Sequence, residues 1–97
     1  MTPQKAIEIL SKMIAILEQP ERIRQTNCLC GAYSYAINPN MTTDEIRAWS
    51  PDYKGMEEIG LFKPEGTANG LFWFKLGDMD IRIQYCKQAI KEWEKQL

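Results

Sequence analysis

Apolar side chains recur along residues 3–18 with the period of an α-helix. At 100° per residue, Ala6, Ile7, Ile9, Leu10, Met13, Ile14 and Leu17 fall in one sector, and Gln4, Lys5, Glu8, Ser11, Lys12, Glu18 and Gln19 fall opposite. Thr2-Pro3 is a start signal, a hydroxyl N-cap followed by proline at the first helical position. The spacing predicts a helix to about Glu18, with Pro20 closing it or opening the next segment. Its apolar sector spans roughly half the circumference, wider than a one-sided surface helix requires. Part of it can face a core and the rest a second subunit.

A second helix is expected in "QTNCLCGAYSYAIN", residues 25–38. There Gly31, Ala32 and Ala36 let a neighbouring backbone approach, and Asn38-Pro39-Asn40 ends it. Thr42-Thr43-Asp44-Glu45 reads as a capping box that opens a short helix over 43–49, broken by Ser50-Pro51. From Asp52 to Gly70 the signals are weak, with Gly55, Gly60, Pro64, Gly66 and Gly70 as punctuation. Leu71 to Phe74 is too short for a helix before Gly77 and reads as extended. Trp73 then points to the face opposite Phe72 and Phe74. The last helix is the clearest, with Asp78 as N-cap and Asp80 at the positive end of the dipole. Met79, Ile83, Cys86, Ile90, Trp93 and Leu97 form one seam, and Ile81, Tyr85 and Ala89 a second stripe beside it.

The expected architecture is mainly α. It is a small single-domain helical fold over 1–97, with three to four helices and one short extended segment at about 71–75 before the C-terminal helix. Ninety-seven residues, 44% hydrophobic and 26% charged, have ordinary globular composition. Twelve basic against thirteen acidic residues exclude a general nucleic-acid binder, which shows a basic excess, and also a strongly acidic nucleic-acid mimic. The acidic groups concentrate in 41–70, as a solvated connection would. No apolar run approaches a membrane span, and the N-terminus has no signal-peptide pattern, so a cytoplasmic protein is expected. Three cysteines, an odd number, fit a reducing compartment.

Candidate chemistry is sparse. Histidine is absent, which removes the commonest acid–base group and metal ligand. Cys28, Cys30 and Cys86 lack a fourth ligand for zinc, and on a helix residues 28 and 30 would point to different faces. They read as reduced and metal-free. No nucleophile triad, phosphate loop or carboxylate motif is present, so no enzyme and no cofactor are expected. Arg82 is the anomaly, because its direction falls inside the apolar sector of the last helix. A guanidinium there needs a partner. Asp78, one turn earlier, is nearest; the other options are carbonyls at a helix C-terminus and a ligand phosphate. The candidate ligand-binding residues are Arg82 and Trp73, with Asp78, Lys75, Arg22 and Arg24 in support.

"CLCGAYSYAI" followed by "FWFKLGDMDIRIQYCKQAI" resembles a set of small helical proteins of phages and bacteria. The resemblance rests on Leu29, Cys30 and Ala32, then on Phe72, Trp73, Phe74, Gly77, Asp78, Arg82 and Ile90, and covers about half the chain. Lys75-Leu76 stands where those proteins often carry prolines, and Cys28 is an additional cysteine. The resemblance implies no activity. It implies a phage-type setting, in which small proteins block host defence or host enzymes. The leading expectation is a non-enzymatic counter-defence protein. It would be a homo-oligomeric sponge that sequesters a nucleotide-derived immune signal such as a cyclic nucleotide or an ADP-ribose derivative. Arginine or lysine would hold the phosphate, and an aromatic ring the base. The alternatives are a protein–protein inhibitor of a host defence enzyme, in the manner of an anti-CRISPR, and a phage accessory or structural protein. A preformed pocket with basic and aromatic groups would favour the sponge, and an exposed apolar patch the inhibitor.

Overall fold

Thr2 caps the first helix as its sequence requires. Its side-chain oxygen accepts the Lys5 amide at 3.2 Å, and Pro3 opens α1, Pro3–Leu17. The structure, a computed structural model, describes residues 1–24, 26–42, 44–45, 52–61 and 79–97. The apolar sector of α1 is used within the chain: Ala6, Ile9, Leu10, Met13 and Leu17 are buried, and Ile14 and Ile16 are partly so. Most of the surface that suggested a second subunit is therefore taken by the chain's own helices. The opposite face carries exposed Lys5–Glu8 and Lys12–Glu8 pairs, which solvent screens and which therefore add little to stability.

The second helix begins later than expected. α2 is Leu29–Ile37, and Cys28 precedes it in extended backbone as N-cap. The Cys28 sulfur accepts the Gly31 amide at 3.2 Å, and the Thr26 hydroxyl lies 3.4 Å from the Cys28 amide. These bonds satisfy the chain outside the helix and fix its start four residues beyond residue 25. Every residue from Leu29 to Ala36 is buried. The helix is apolar on all sides because it runs through the core rather than over it.

Thr42 caps as expected, its hydroxyl oxygen accepting the Glu45 amide at 3.1 Å, and residues 44–45 are helical. The rest of the expected 43–49 helix lies outside the described residues. So do the expected extended segment at 71–75 and the Asp78 cap.

A short helix stands in the glycine-punctuated stretch whose local signals are weak. α3, Tyr53–Glu58, is capped by Asp52, whose carboxylate accepts the Gly55 amide at 2.9 Å. A side chain at Gly55 would collide with the Tyr33 hydroxyl and with the capping carboxylate itself. The helix ends in a Schellman motif. Gly60 has φ +92°; its amide bonds Glu57 O at 3.0 Å, and the Leu61 amide reaches back to Met56 O at 3.0 Å. Leu61 and Met56, the apolar pair of that motif, are both fully buried.

The last helix, α4, is Met79–Glu94. Cys86 and Ala89 are buried, and Met79, Ile83, Tyr85, Ile90 and Trp93 pack partly against the core. The seam ends at Trp93. Leu97 lies past the helix and is 68% exposed, so it does not extend the seam. α1 packs along α4 on one side and α2 on the other, and α2 touches α3. Leu10, Met13, Leu29, Met56 and Cys86 meet in one core. The radius of gyration, 12.7 Å, is close to the ~12.5 Å of a compact chain of this length. Among the described residues the regular elements are these helices, with no strand, and no helix is long and apolar enough to cross a membrane.

Candidate functional site

The turn between α1 and α2 gathers two of the predicted arginines. Residues 20–24 fold back through Ile23 and Arg24 amides that both bond Pro20 O, at 2.8 and 3.1 Å. This places the Arg24 guanidinium over the end of α1, where its Nη1 donates to Gln19 O at 2.8 Å and its Nε to Asn27 Oδ1. A cation at this end also complements the α1 dipole. From α4, half-buried Arg82 donates through Nη1 to the backbone carbonyl of Asn27. Two guanidinium groups thus grip the two oxygens of one residue. In the apolar sector of α4, Arg82 meets a loop carbonyl from across the fold, a partner 55 positions away in sequence.

Beside this knot lies an open cleft of about 630 Å³ between the end of α1 and the first half of α4. Its polar lining is mixed. Arg24 and Lys87 supply positive charge, Glu18 and Asp80 negative charge, and Gln19 and Gln84 neutral donors and acceptors; Leu17, Met79 and Ile83 form the apolar part.

On the other side of Asn27 stands a group the sequence reading did not select. Because Cys28 sits in extended backbone before α2, its sulfur folds over the helix end instead of facing away from Cys30. The two sulfurs are 3.2 Å apart, with the Cys30 thiol donating to Cys28. The Thr26 hydroxyl is 3.4 Å away and the Gly31 amide 3.2 Å. Cys28 is half-buried and Cys30 buried. The Cys30 hydrogen bond, followed by those of Thr26 and Gly31, holds Cys28 down at about 6, against the opposing effect of burial. Cys30 is pushed far up by the same bond, which it must donate, and then by burial and the neighbouring charge. Cys86 is pushed up to about 12 by burial alone. The Tyr53 hydroxyl is raised as well, first by desolvation and then by charge on Cys30 and Cys28. Gly31 makes this seat. A Cβ there would overlap the Thr26 hydroxyl and come within 3.1 Å of Cys28 Sγ. The cue for the pair was a C-x-C-G run with Thr two residues before it. Within one continuous helix the two cysteines would face apart, so the run reads as a pair only with Cys28 outside the helix.

No family model, curated protein or solved structure matches this chain.

Of the residues predicted from sequence, Arg24 and Arg82 are brought together on Asn27, and Arg24 also lines the cleft. Arg22 lies exposed in the 21–23 turn and does not line the cleft. Trp73, Lys75 and Asp78 lie outside the described residues, so the expected Arg82–Asp78 pair does too. Lys87, Glu18 and Asp80 were not anticipated, since on a helical wheel they read as ordinary solvated charges. Among the described residues no three His, Cys, Asp or Glu side chains gather as a metal site.

Proposed function

We propose that the protein is a non-enzymatic binding protein that holds a small nucleotide-derived ligand in the cleft between α1 and α4. The observation that carries this reading is the mixed lining next to a preset arginine. Arg24 is already held by Gln19 and Asn27, so little side-chain freedom is lost when its remaining donors meet a phosphate. Lys87 offers a second positive charge. Glu18 and Asp80 suit the hydroxyls of a ribose or the amine of a base, and Gln19 and Gln84 can read either. A volume of about 630 Å³ falls among small-ligand sites, which run ~300–1,000 Å³. The two carboxylates oppose a phosphate-rich polyanion, so the ligand class is one with few phosphates and several hydroxyl or amine donors. Sequestration of such a signal in a phage-type counter-defence role is the biological form suggested by the sequence resemblance.

A second reading, a protein–protein inhibitor, is supported by a separate groove of about 540 Å³ along α4. Gly60, Ile81, Tyr85 and Ala89 line it, and Ile81 is 46% exposed. A thermal-shift screen with cyclic di- and trinucleotides, ADP-ribose and mononucleotides separates the two. Ligand at ~100 times its dissociation constant adds about 2.7 kcal/mol. The expected result is a clear shift with one of these ligands that Arg24→Ala or Lys87→Ala removes. No shift across the panel, or a shift that survives both substitutions, would overturn the cleft reading.

A further inference from the structure

We propose that Cys28 and Cys30 form a redox-active dithiol, with Cys28 as the attacking thiolate and Cys30 as the resolving thiol, that exchanges with small-molecule disulfides. The inference does not depend on the cleft or its ligand. It stands first on placement. The two sulfurs are already 3.2 Å apart, and closing a disulfide at ~2.05 Å requires a shift of about an ångström at the N-terminal end of α2. The division of labour follows from surroundings. Cys28 is the partly accessible sulfur, and it collects hydrogen bonds from Cys30, the Gly31 amide and the Thr26 side. Those donors, at the N-terminus of a nine-residue helix, stabilise a thiolate. Cys30 is fully buried behind it and cannot meet an external disulfide first.

The exchange balances in two steps. The Cys28 thiolate attacks one sulfur of a disulfide RSSR. A Cys28–SR bond forms, the S–S bond of RSSR breaks, and RS⁻ leaves and takes a proton from water. Cys28 has then lost its negative charge, and with it two of the causes that kept Cys30 protonated: the hydrogen bond and the Coulomb repulsion. Cys30 releases its proton to water and attacks Cys28 Sγ; the Cys28–Cys30 bond forms, the Cys28–SR bond breaks, and the second RS⁻ leaves and takes a proton from water. Two electrons pass from the protein dithiol to RSSR, which is reduced to two RSH. Closure also turns the acceptor of the Gly31 amide from a thiolate into a weakly accepting disulfide sulfur, so oxidation weakens the cap of α2. A short ring closed by a C-x-C pair is strained, and strained disulfides are the readily reversed ones.

The test uses the full chain and glutathione disulfide as the probe. Reduced protein is mixed with excess probe at about pH 7, quenched in acid, alkylated and read by intact mass and peptide mapping. The expected product has a Cys28–Cys30 disulfide, carries no glutathione, and leaves Cys86 as its single alkylatable thiol. With iodoacetamide, Cys28 is expected to react at least ~100-fold faster than Cys86, the thiolate fraction outweighing the weaker intrinsic nucleophilicity. Cys30→Ser and Cys30→Ala, run in parallel so that one folded variant suffices, should trap glutathione on Cys28. Cys28→Ser, which keeps an N-cap oxygen, should leave Cys30 unreactive while circular dichroism stays native. Equal, slow reaction of all three thiols, glutathione that accumulates on wild type without resolving, or trapping on Cys30 in Cys28→Ser would each overturn the proposal.

Discussion

The indole nitrogen of Trp93 donates a 2.9 Å hydrogen bond to the carbonyl of Ile59, tying the end of α4 to the end of α3 across 34 positions of sequence. The Gly60 and Leu61 amides serve the carbonyls of Glu57 and Met56, and the carbonyl of Ile59, at the C-cap of α3, takes the indole. Ile59 is fully buried, so its carbonyl has little water to fall back on. Trp93→Phe keeps most of the ring surface and removes the donor. The expected loss is about 1 kcal/mol, near the net worth of one hydrogen bond, measured as a lower urea midpoint at unchanged slope. An unchanged midpoint would show that the indole contributes packing only.

Next to that bond, Gly60 holds φ +92° so that α3 can close. Its missing Cβ would sit 3.5 Å from Ala89 Cβ and from Trp93 Nε1, which is ordinary contact. The penalty for a side chain there is therefore conformational. Gly60→Ala is expected to cost ~1–2 kcal/mol, the price of a left-handed backbone for an L-residue. Gly60→Asn should cost less, because asparagine tolerates that region. Equal losses in the two variants would point to crowding instead, and thermal or urea unfolding of both decides it.

The sequence exposed those elements whose signals are local and repeated. Thr2-Pro3 and the sector from Ala6 to Leu17 announced α1, and the spacing from Met79 to Trp93 announced α4. Two places were not legible. The start of α2 is set by Cys28 acting as a cap, a role more often filled by Ser, Thr, Asp or Asn, so the run from residue 25 looked continuous. α3 has only six residues, held by Asp52 and by burial of Met56 against other helices, and so carries too little periodicity to be seen. The site was half legible. Arg82 stands out in the sequence because a charge falls in an apolar stripe, but the bond that ties it to the 20–28 segment goes to a carbonyl, and every residue has one. No sequence pattern marks Asn27 as the acceptor.

Arg82 fastens α4 to the segment that leads into Cys28. Arg82→Ala is expected to lower stability by about 1 kcal/mol and to speed amide exchange over 26–31, where the α2 cap depends on the position of Asn27. Arg22→Ala, in the exposed 21–23 turn, should stay within ~0.5 kcal/mol and leave exchange unchanged. If exchange over 26–31 is the same in Arg82→Ala as in wild type, the arginine does not hold this segment, and the thiol pair is positioned by Thr26 and Gly31 alone.

The thiol pair gives stability a pH dependence of defined sign. In the unfolded chain both thiols titrate near ~8.5. In the folded protein Cys28 is held down at about 6 by the Cys30 hydrogen bond first and those of Thr26 and Gly31 after it, while Cys30 stays protonated. Between about 6 and ~8.5 the unfolded chain therefore binds one more proton than the folded one, and stability rises with pH. Above that range the unfolded chain loses both protons and the folded chain keeps one, so the gain reverses. As pH falls through about 6 the contribution disappears, because the thiol is then protonated in both states. Cys28→Ser keeps a cap and removes the titration, so other groups cancel in the comparison, the exposed Glu8 carboxylate with its lysine neighbours among them. Urea unfolding of reduced wild type and Cys28→Ser should give curves that run parallel below about pH 6 and diverge steadily toward pH ~8.5, with wild type gaining. Parallel curves throughout would mean that Cys28 titrates as an ordinary thiol and that the seat built by Thr26, Cys30 and Gly31 does not hold a charge.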